Sequence, residues 1–466
     1  MNFATAIANT AHTANGAISS ASSLNACLDL FSMGVSSTDK TRLISAALLE
    51  DPLLATKVVF YLRDCRQGQG NKDILHAFIS ILAVRPTHAS AQILKLIPQI
   101  GYWKDLIKTA FYQPQLYKII IDLFVESLKA SDNLCAKWTP RKGQFANDIR
   151  KALGLKPKEY RQLLVKLTSV VEQKMCAREW SAINYAQVPS RANKLYKKAF
   201  LAHDPVRRQA FLAKVMTGEV KLHAARLYPH EISMMINRYN YADDSSANAL
   251  WKSLPNYMEN KEPINVLPII DLSSSMECQV PGTTARAMQI AIGLGLYVSE
   301  HNTGHYKDLW CTFSERPQFN YLKGTTLADR VRGLDYQNWG GSTNLQAVFD
   351  EILRVAQTTT DLPQMILIVS DMEFNRCDSS KTNLETINKK YAAAGIKPPV
   401  IVFWRVDVSV PQQPALFDTP GVVLINGYSP SIMKELLAGD LENMTPQAMM
   451  LKALGNKYDY LNEIIC

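Results

Sequence analysis

The hydrophobic spacing changes character once, at Glu262-Pro263, and that change demands two different kinds of fold in one chain. Before it, from about residue 41 to 257, apolar residues recur at helical spacing and the pattern breaks after every ~12 to 20 residues. Leu43, Ile44, Ala47 and Leu48 begin one stripe; Val58, Val59, Tyr61 and Leu62 begin a second; Ile74, Leu75, Phe78, Ile79 and Leu82 form a third. Short helices of this kind cannot each bury a face alone, so the spacing predicts an α-helical HEAT-like solenoid over residues 41–262. After the break, short apolar runs at 264–270, 309–313, 365–369, 400–404 and 422–425 alternate with helical stretches. That alternation predicts a parallel sheet covered on both faces, an α/β doubly wound domain over residues 263–440. Residues 441–466 are expected as a C-terminal helix packing back on the body, and residues 1–40 as a frayed or weakly helical tail.

Charge follows the same division. Lys and Arg total 51 against 42 Asp and Glu, a net +9. Residues 1–260 hold 34 bases and 20 acids, residues 261–466 hold 17 and 22, and the stretch 137–214 alone holds 18 and 5. A basic segment joined to an acidic one points to two jobs in one chain. No apolar run reaches the ~18 residues a membrane-spanning helix needs. The first basic residue is Lys40, so the Ala/Ser-rich opening lacks the charged start of a secretory signal, and the eight cysteines include no C-x-x-C pair. A cytoplasmic protein with reduced thiols and no membrane partner is the expectation.

Chemistry-bearing residues collect at the ends of the expected strands. Asp271, Ser273 and Ser275 alternate where the first strand ends, so they share one side of the sheet's carboxyl edge. Thr343 follows the Gly340-Gly341 turn and opens a helix, and Asp371 closes the strand at 365–369. Carboxylates and hydroxyls with partial charge neutralisation suit Mg²⁺ or another divalent cation, which takes oxygen ligands at ~2.0–2.1 Å and leaves a position open to a partner's carboxylate. Ser342 is a competing hydroxyl, and Thr343 is preferred.

These pieces, Asp-x-Ser-x-Ser, Gly-Gly-Ser-Thr and Ser-Asp in that order over roughly residues 263–440, resemble the metal-ion-dependent adhesion site of von Willebrand factor A domains. In many members Thr directly follows the glycine pair, whereas here Ser342 intervenes. The helical half carries Phe60-Tyr61-Leu62-Arg63-Asp64-Cys65-Arg66-Gln67-Gly68-Gln69-Gly70-Asn71-Lys72 and Gly101-Tyr102-Trp103-Lys104-Asp105-Leu106. With those segments it is similar to the Ro autoantigen family, in which a TROVE module of HEAT-like helix pairs precedes a von Willebrand A domain, and to TROVE-like proteins of bacteria, phages and plants. The resemblance implies a solenoid closed into a ring and binding of structured or misfolded non-coding RNA, with single-stranded ends entering that ring and helices on its basic outer face.

Residue chemistry supplies its own reasons for RNA. Stretch 137–214 interleaves bases with Trp138, Phe145, Tyr160, Trp180, Tyr185, Tyr196 and Phe200, a mixture suited to phosphates and unpaired bases, although most such aromatics are expected in the core. Candidate phosphate contacts are Arg141, Lys142, Arg150, Lys151, Lys158, Arg161, Arg191, Lys194, Lys197 and Lys198. Around 63–72 the glycines permit either a phosphate cradle charged by Arg63, Arg66 and Lys72, or an ordinary interhelical turn. No Gly-Lys dipeptide occurs, so there is no Walker A loop; His230-Glu231 lacks a second His; and the serines at 273–275 have no identifiable His partner. A non-enzymatic protein is expected, with a protein-interaction scaffold as the first alternative and a metal-dependent hydrolase as the second.

Overall fold

A computed structural model of the chain describes residues 8–84, 87–168, 170–237, 243–259, 264–334, 342–378, 380–408, 410–438, 441 and 443–465. The start of the chain departs from the expected tail. Strands β1 (Thr10–His12) and β2 (Ile18–Ser20) pair as an antiparallel hairpin, and a helix follows at Ala26–Met33, buried from Cys27 to Met33. Asn25 caps that helix by accepting from the Leu28 amide, and Phe31 on it stacks against Tyr61 with ring centres 5.4 Å apart. The amides of Val35 and Ser36 donate to Asn426 Oδ1, and Ser20 bridges to Gln413, while the helix also packs on Lys40–Glu50 and Pro52–Arg63, so this segment joins the two halves in space.

From Lys40 to Lys252 the described residues contain helices and no strand. Helices Lys40–Glu50, Pro52–Arg63, Lys72–Val84, His88–Ile100, Trp103–Tyr112 and Tyr117–Lys129 pack on near neighbours in sequence. Asp39, Asp51 and Thr87 cap three of them, with Pro52 at the first helical position where its missing amide costs nothing. Shorter helices continue to Ser245–Lys252. The expected boundary near Pro263 lies outside the described residues.

The C-terminal half is an α/β domain. Strands β3 (Val266–Ile270), β4 (Leu309–Thr312), β5 (Phe319–Tyr321), β6 (Met365–Ser370), β7 (Val400–Arg405) and β8 (Val422–Asn426) form one sheet in the order β5-β4-β3-β6-β7-β8. All neighbours are parallel except β4 and β5. Strands β3, β6, β7 and β8 are buried along their whole length, as a sheet covered on both faces requires. Pro268 stands inside β3 and cannot donate; the pairing with β4 begins only after it, at Ile269.

The largest apolar core runs through both halves, from Leu28 and Phe60 across Ile269 and Phe403 to Leu454. Two smaller cores, one around Phe124 and Phe145 and one around Tyr185 and Phe200, hold most of the buried side chains of the basic stretch 137–214. Contact between the halves is close. In helix Ala287–His301, a Cβ on Gly295 would sit 2.2 Å from Ile270 Cδ1 and one on Gly293 2.5 Å from the His230 amide nitrogen, so two glycines let one helix meet β3 and the helical half together. Helices Pro446–Leu454 and Asn462–Ile465 reach back onto Pro52–Arg63, and the latter also onto His88–Ile100. Among the described residues, no helix is long and apolar enough to cross a membrane.

His230 lies in this junction, its ring stacked on Tyr228 at 5.8 Å and edge-on to Tyr428 at 5.7 Å, with Nδ1 lacking a partner. Burial pushes it down to about 4; Glu231 opposes the shift, and Lys194 and Arg191 reinforce it. A folded value below the ordinary ~6.5 means the unfolded chain binds the extra proton, so stability is lost as pH falls from about 6.5 toward 4, by roughly 3 kcal/mol. Urea unfolding at pH 7 and pH 4.5 is expected to show this loss, and His230→Phe to remove most of it.

Candidate metal centre and nucleic-acid interface

The order β5-β4-β3-β6-β7-β8 reverses direction at β3, and the crevice outside the carboxyl ends of β3 and β6 is where open sheets of this topology receive ligands. Asp271 directly follows β3 and Asp371 directly follows β6, both fully buried. Asp271 accepts from the Ser273 amide at 3.0 Å and from Ser370 Oγ at 2.5 Å. Asp371 Oδ1 accepts from the Glu373 amide at 3.1 Å, while Asp371 Oδ2 is buried without a hydrogen bond. Met372 between them has φ +69°, a left-handed conformation costly for a bulky side chain, and it turns the chain so that the Glu373 amide meets Asp371.

The candidate hydroxyls lie outside the strands, Ser273 and Ser275 just after β3 and Thr343 just before helix Leu345–Ala356. Ser273 is buried and Ser275 exposed, their Oγ atoms 3.0 Å apart. Thr343 is buried and donates to the Glu373 carbonyl at 2.6 Å. Ser342 Oγ instead donates to Glu315, which is also held by Asn344 at 2.8 Å, so of the two candidate hydroxyls Thr343 is the one bonded to the segment that follows Asp371. The Gly340-Gly341 turn lies outside the described residues. Burial, then the neighbouring Asp371 charge, push Asp271 up to about 6. Two buried carboxylates, one with an orphaned oxygen, and a donor set made only of oxygens fit a hard divalent cation, which would neutralise the repulsion and fill the empty valence of Asp371 Oδ2. No group of three or more His, Cys, Asp or Glu that could hold a metal occurs among the described residues, so any ion here relies on the hydroxyls.

Of the residues expected at RNA, the structure removes one. Arg63 is fully buried and ion-paired with Asp105, its guanidinium 5.4 Å from the Tyr102 ring centre, and it cannot reach a phosphate. The cradle around it is spent as well: the amides of Gly68 and Gly70 donate to the Asp64 carbonyl, Gln69 to Tyr61 and Asn71 to Leu62. The turn serves as a latch between the halves instead. Gln69 Oε1 accepts from the amides of Tyr428 and Ser429 at 3.1 Å each, and Tyr458 donates to Asp64 at 3.1 Å.

Other candidates converge. Arg66 and Arg226, 160 residues apart, approach the Cys65 sulfur at 3.8 and 4.0 Å. Arg191 and Lys194 both pair with Glu231 at 3.1 Å, and Arg191 lies close enough to the hydroxyls of Tyr102 and Tyr228 for both to act on its titration. Burial pulls the Lys72 ammonium below its ordinary value; Asp105 opposes this, and Arg63, Arg191 and Lys104 add to it. Lys104 and Lys137 flank the half-buried Trp138 ring at 5.9 and 5.8 Å, and Trp138 meets Tyr102 at 6.3 Å. Arg141, Lys142, Lys151, Lys158, Arg161 and Lys198 are exposed, Lys197 is half-buried, and Arg150 is half-buried with Nη1 on the Leu155 carbonyl. Phe145, Tyr160, Tyr185 and Phe200 are core residues. Lys104, Arg226 and Tyr102 were not among the expected contacts. Arg226 carries no local signal, standing alone between Ala225 and Leu227.

The molecule thus joins a helical module bearing a cationic, aromatic-studded surface to an α/β domain with a carboxylate–hydroxyl crevice. The chain belongs to the family described as a domain of unknown function, DUF2828, whose model matches residues 13–114 and 119–262; residues 265–458 match a second domain of unknown function, DUF7788. It is also similar to the uncharacterized protein L728 of Acanthamoeba polyphaga mimivirus, 28% identical over 516 aligned positions that cover 96% of this chain and 88% of that protein.

Proposed function

We propose that this chain is a non-enzymatic RNA-binding protein of the cytoplasm, whose helical half holds non-coding RNA while the C-terminal domain, a von Willebrand A-type module, uses a Mg²⁺ site to recruit an acidic protein partner. One observation carries the reading: Arg66, Lys72, Lys104, Arg191, Lys194 and Arg226, drawn from four separate stretches of sequence, form one chain of neighbours, Arg66 and Arg226 meeting at Cys65, Lys72 lying within electrostatic reach of Lys104 and Arg191, and Arg191 and Lys194 sharing Glu231. Gathering cations costs stability through mutual repulsion, and a polyphosphate strand repays that cost by releasing its counterions. Tyr102 and Trp138 offer ring faces beside the charges, the combination that single-stranded RNA uses. The resemblance to the Ro family supports RNA as the polyanion, and the orphaned Asp371 oxygen supports the cation.

In electrophoretic binding to a hairpin RNA with a single-stranded tail, the double variant Lys72→Gln/Arg191→Gln is expected to bind about tenfold more weakly than wild type, with a salt dependence shallower by about 1.4 in log–log slope. Unchanged affinity and slope would remove RNA from this surface. A scaffold role is favoured by one other feature, the exposed Val84, Phe111 and Tyr112 at the ends of helices Lys72–Val84 and Trp103–Tyr112. Polyglutamate that displaces RNA at matched ionic strength would favour that reading over this one.

A further inference from the structure

The tip of the N-terminal hairpin rests on Thr343 and on the segment that follows Asp371, two parts of the candidate metal site more than 300 residues away in sequence. Thr13 Oγ1 donates to the Phe374 carbonyl at 2.7 Å, the Ala14 amide donates to Glu373 Oε2, Gly16 bridges to Asn375, and the Arg376 amide donates to the Asn15 carbonyl at 3.3 Å. Every one of these contacts falls on the segment that follows Asp371. Asn15 does more: its Nδ2 donates both to the Glu373 carbonyl at 2.7 Å and to Thr343 Oγ1 at 3.2 Å.

A hydroxyl oxygen has one proton and two lone pairs. Thr343 spends its proton on the Glu373 carbonyl at 2.6 Å, with Asn375 Oδ1 as a second acceptor at 3.1 Å, and receives Asn15 on one lone pair. One lone pair is left, and its direction is fixed by the other two bonds. We infer that Asn15 is a positioning residue of the metal centre: it orients Thr343 toward the cation and pins residues 373–376, the segment that follows Asp371. The inference rests on the reading of Asp271, Ser273, Ser275, Thr343 and Asp371 as cation ligands. It makes the functional metal domain larger than the sheet domain, because full affinity requires the hairpin from the other end of the chain.

Asn15 is exposed, the hairpin is closed by Asn9 with Ser22, and it is anchored independently by Thr13 on the Phe374 carbonyl and by the bridge from Ser20 to Gln413, so truncating Asn15 leaves the hairpin docked. The test is Mg²⁺ titration by calorimetry and Mn²⁺ titration by electron paramagnetic resonance on the full chain, with melting in EDTA alongside. Asn15→Ala is expected to weaken both ions by about three- to tenfold, the range of one neutral hydrogen bond, with an unchanged metal-free melting temperature. His12→Ala, an exposed position on the same hairpin, is expected to bind like wild type, and Asp371→Ala not at all. Wild-type affinity in Asn15→Ala, while Asp371→Ala loses binding, would overturn the inference and leave the metal site standing. A fall in affinity that tracks a fall in metal-free melting temperature would overturn it too, making Asn15 merely structural. Absence of cation binding by wild type would remove site and inference together.

Discussion

Saturating Mg²⁺ is expected to raise the melting temperature of the wild-type protein, and the Asp371→Asn variant to melt at one temperature with or without it. At a hundred times the dissociation constant the ion contributes about 2.7 kcal/mol, which is roughly 5 to 10 °C for a domain of ~200 residues. The sign of the metal-free comparison is informative. Asp271 and Asp371 are both buried, and the charge of Asp371 helps to push Asp271 up to about 6. An amide at 371 removes that repulsion and gives the unpaired Oδ2 position a donor, so Asp371→Asn in EDTA is expected to melt at or above wild type. Calorimetry on the two proteins in EDTA and in Mg²⁺ gives all four numbers. A variant that melts lower in EDTA and still responds to Mg²⁺ would place the ion elsewhere. Asp271→Ala should likewise abolish Mg²⁺ binding and leave RNA binding largely intact.

The second large effect concerns Arg63. Its guanidinium is buried against Asp105, and Asp105 also accepts from the Tyr102 amide at 2.9 Å. Arg63→Ala strands a carboxylate in the core, a loss of about 3–5 kcal/mol by urea unfolding. Asp105→Ala strands the arginine and should cost as much. The double variant Arg63→Met/Asp105→Leu removes both charges and is expected to recover most of the loss, since it is the unpaired partner that is costly. RNA affinity of the refolded variants at low temperature should stay close to wild type, because Arg63 has no path to a phosphate. A selective loss of RNA binding without a loss of stability would return Arg63 to the interface.

The helical and α/β halves were legible because their hydrophobic periods differ, and the sequence motif at 271–275 places its carboxylate at the end of β3 because strand alternation is local. Asp371 was readable for the same reason. What escaped was set by distant partners. Arg63 reads as a surface cation in a glycine-rich turn, and only Asp105, 42 residues on, makes it a core residue. Residues 8–36 look like a tail because the opening is rich in Ala and Ser and carries no Lys or Arg, and the groups that hold it by hydrogen bonds, Gln413 and Asn426, are far away in sequence. Gln69 reads as turn filler until Tyr428 and Ser429 arrive to donate to it. Arg226 reaches Cys65 across 161 positions, with nothing in its own neighbourhood to mark it.

The central claim is that the gathered cations hold the phosphates of an RNA strand. Its most direct test is the affinity of the full chain for a single-stranded-tailed RNA measured from 50 to 300 mM salt. Six cations engaging six phosphates give a log–log slope of about −4, with binding still detectable at the top of the range. A slope near zero, or no binding at the lowest salt, would contradict the claim.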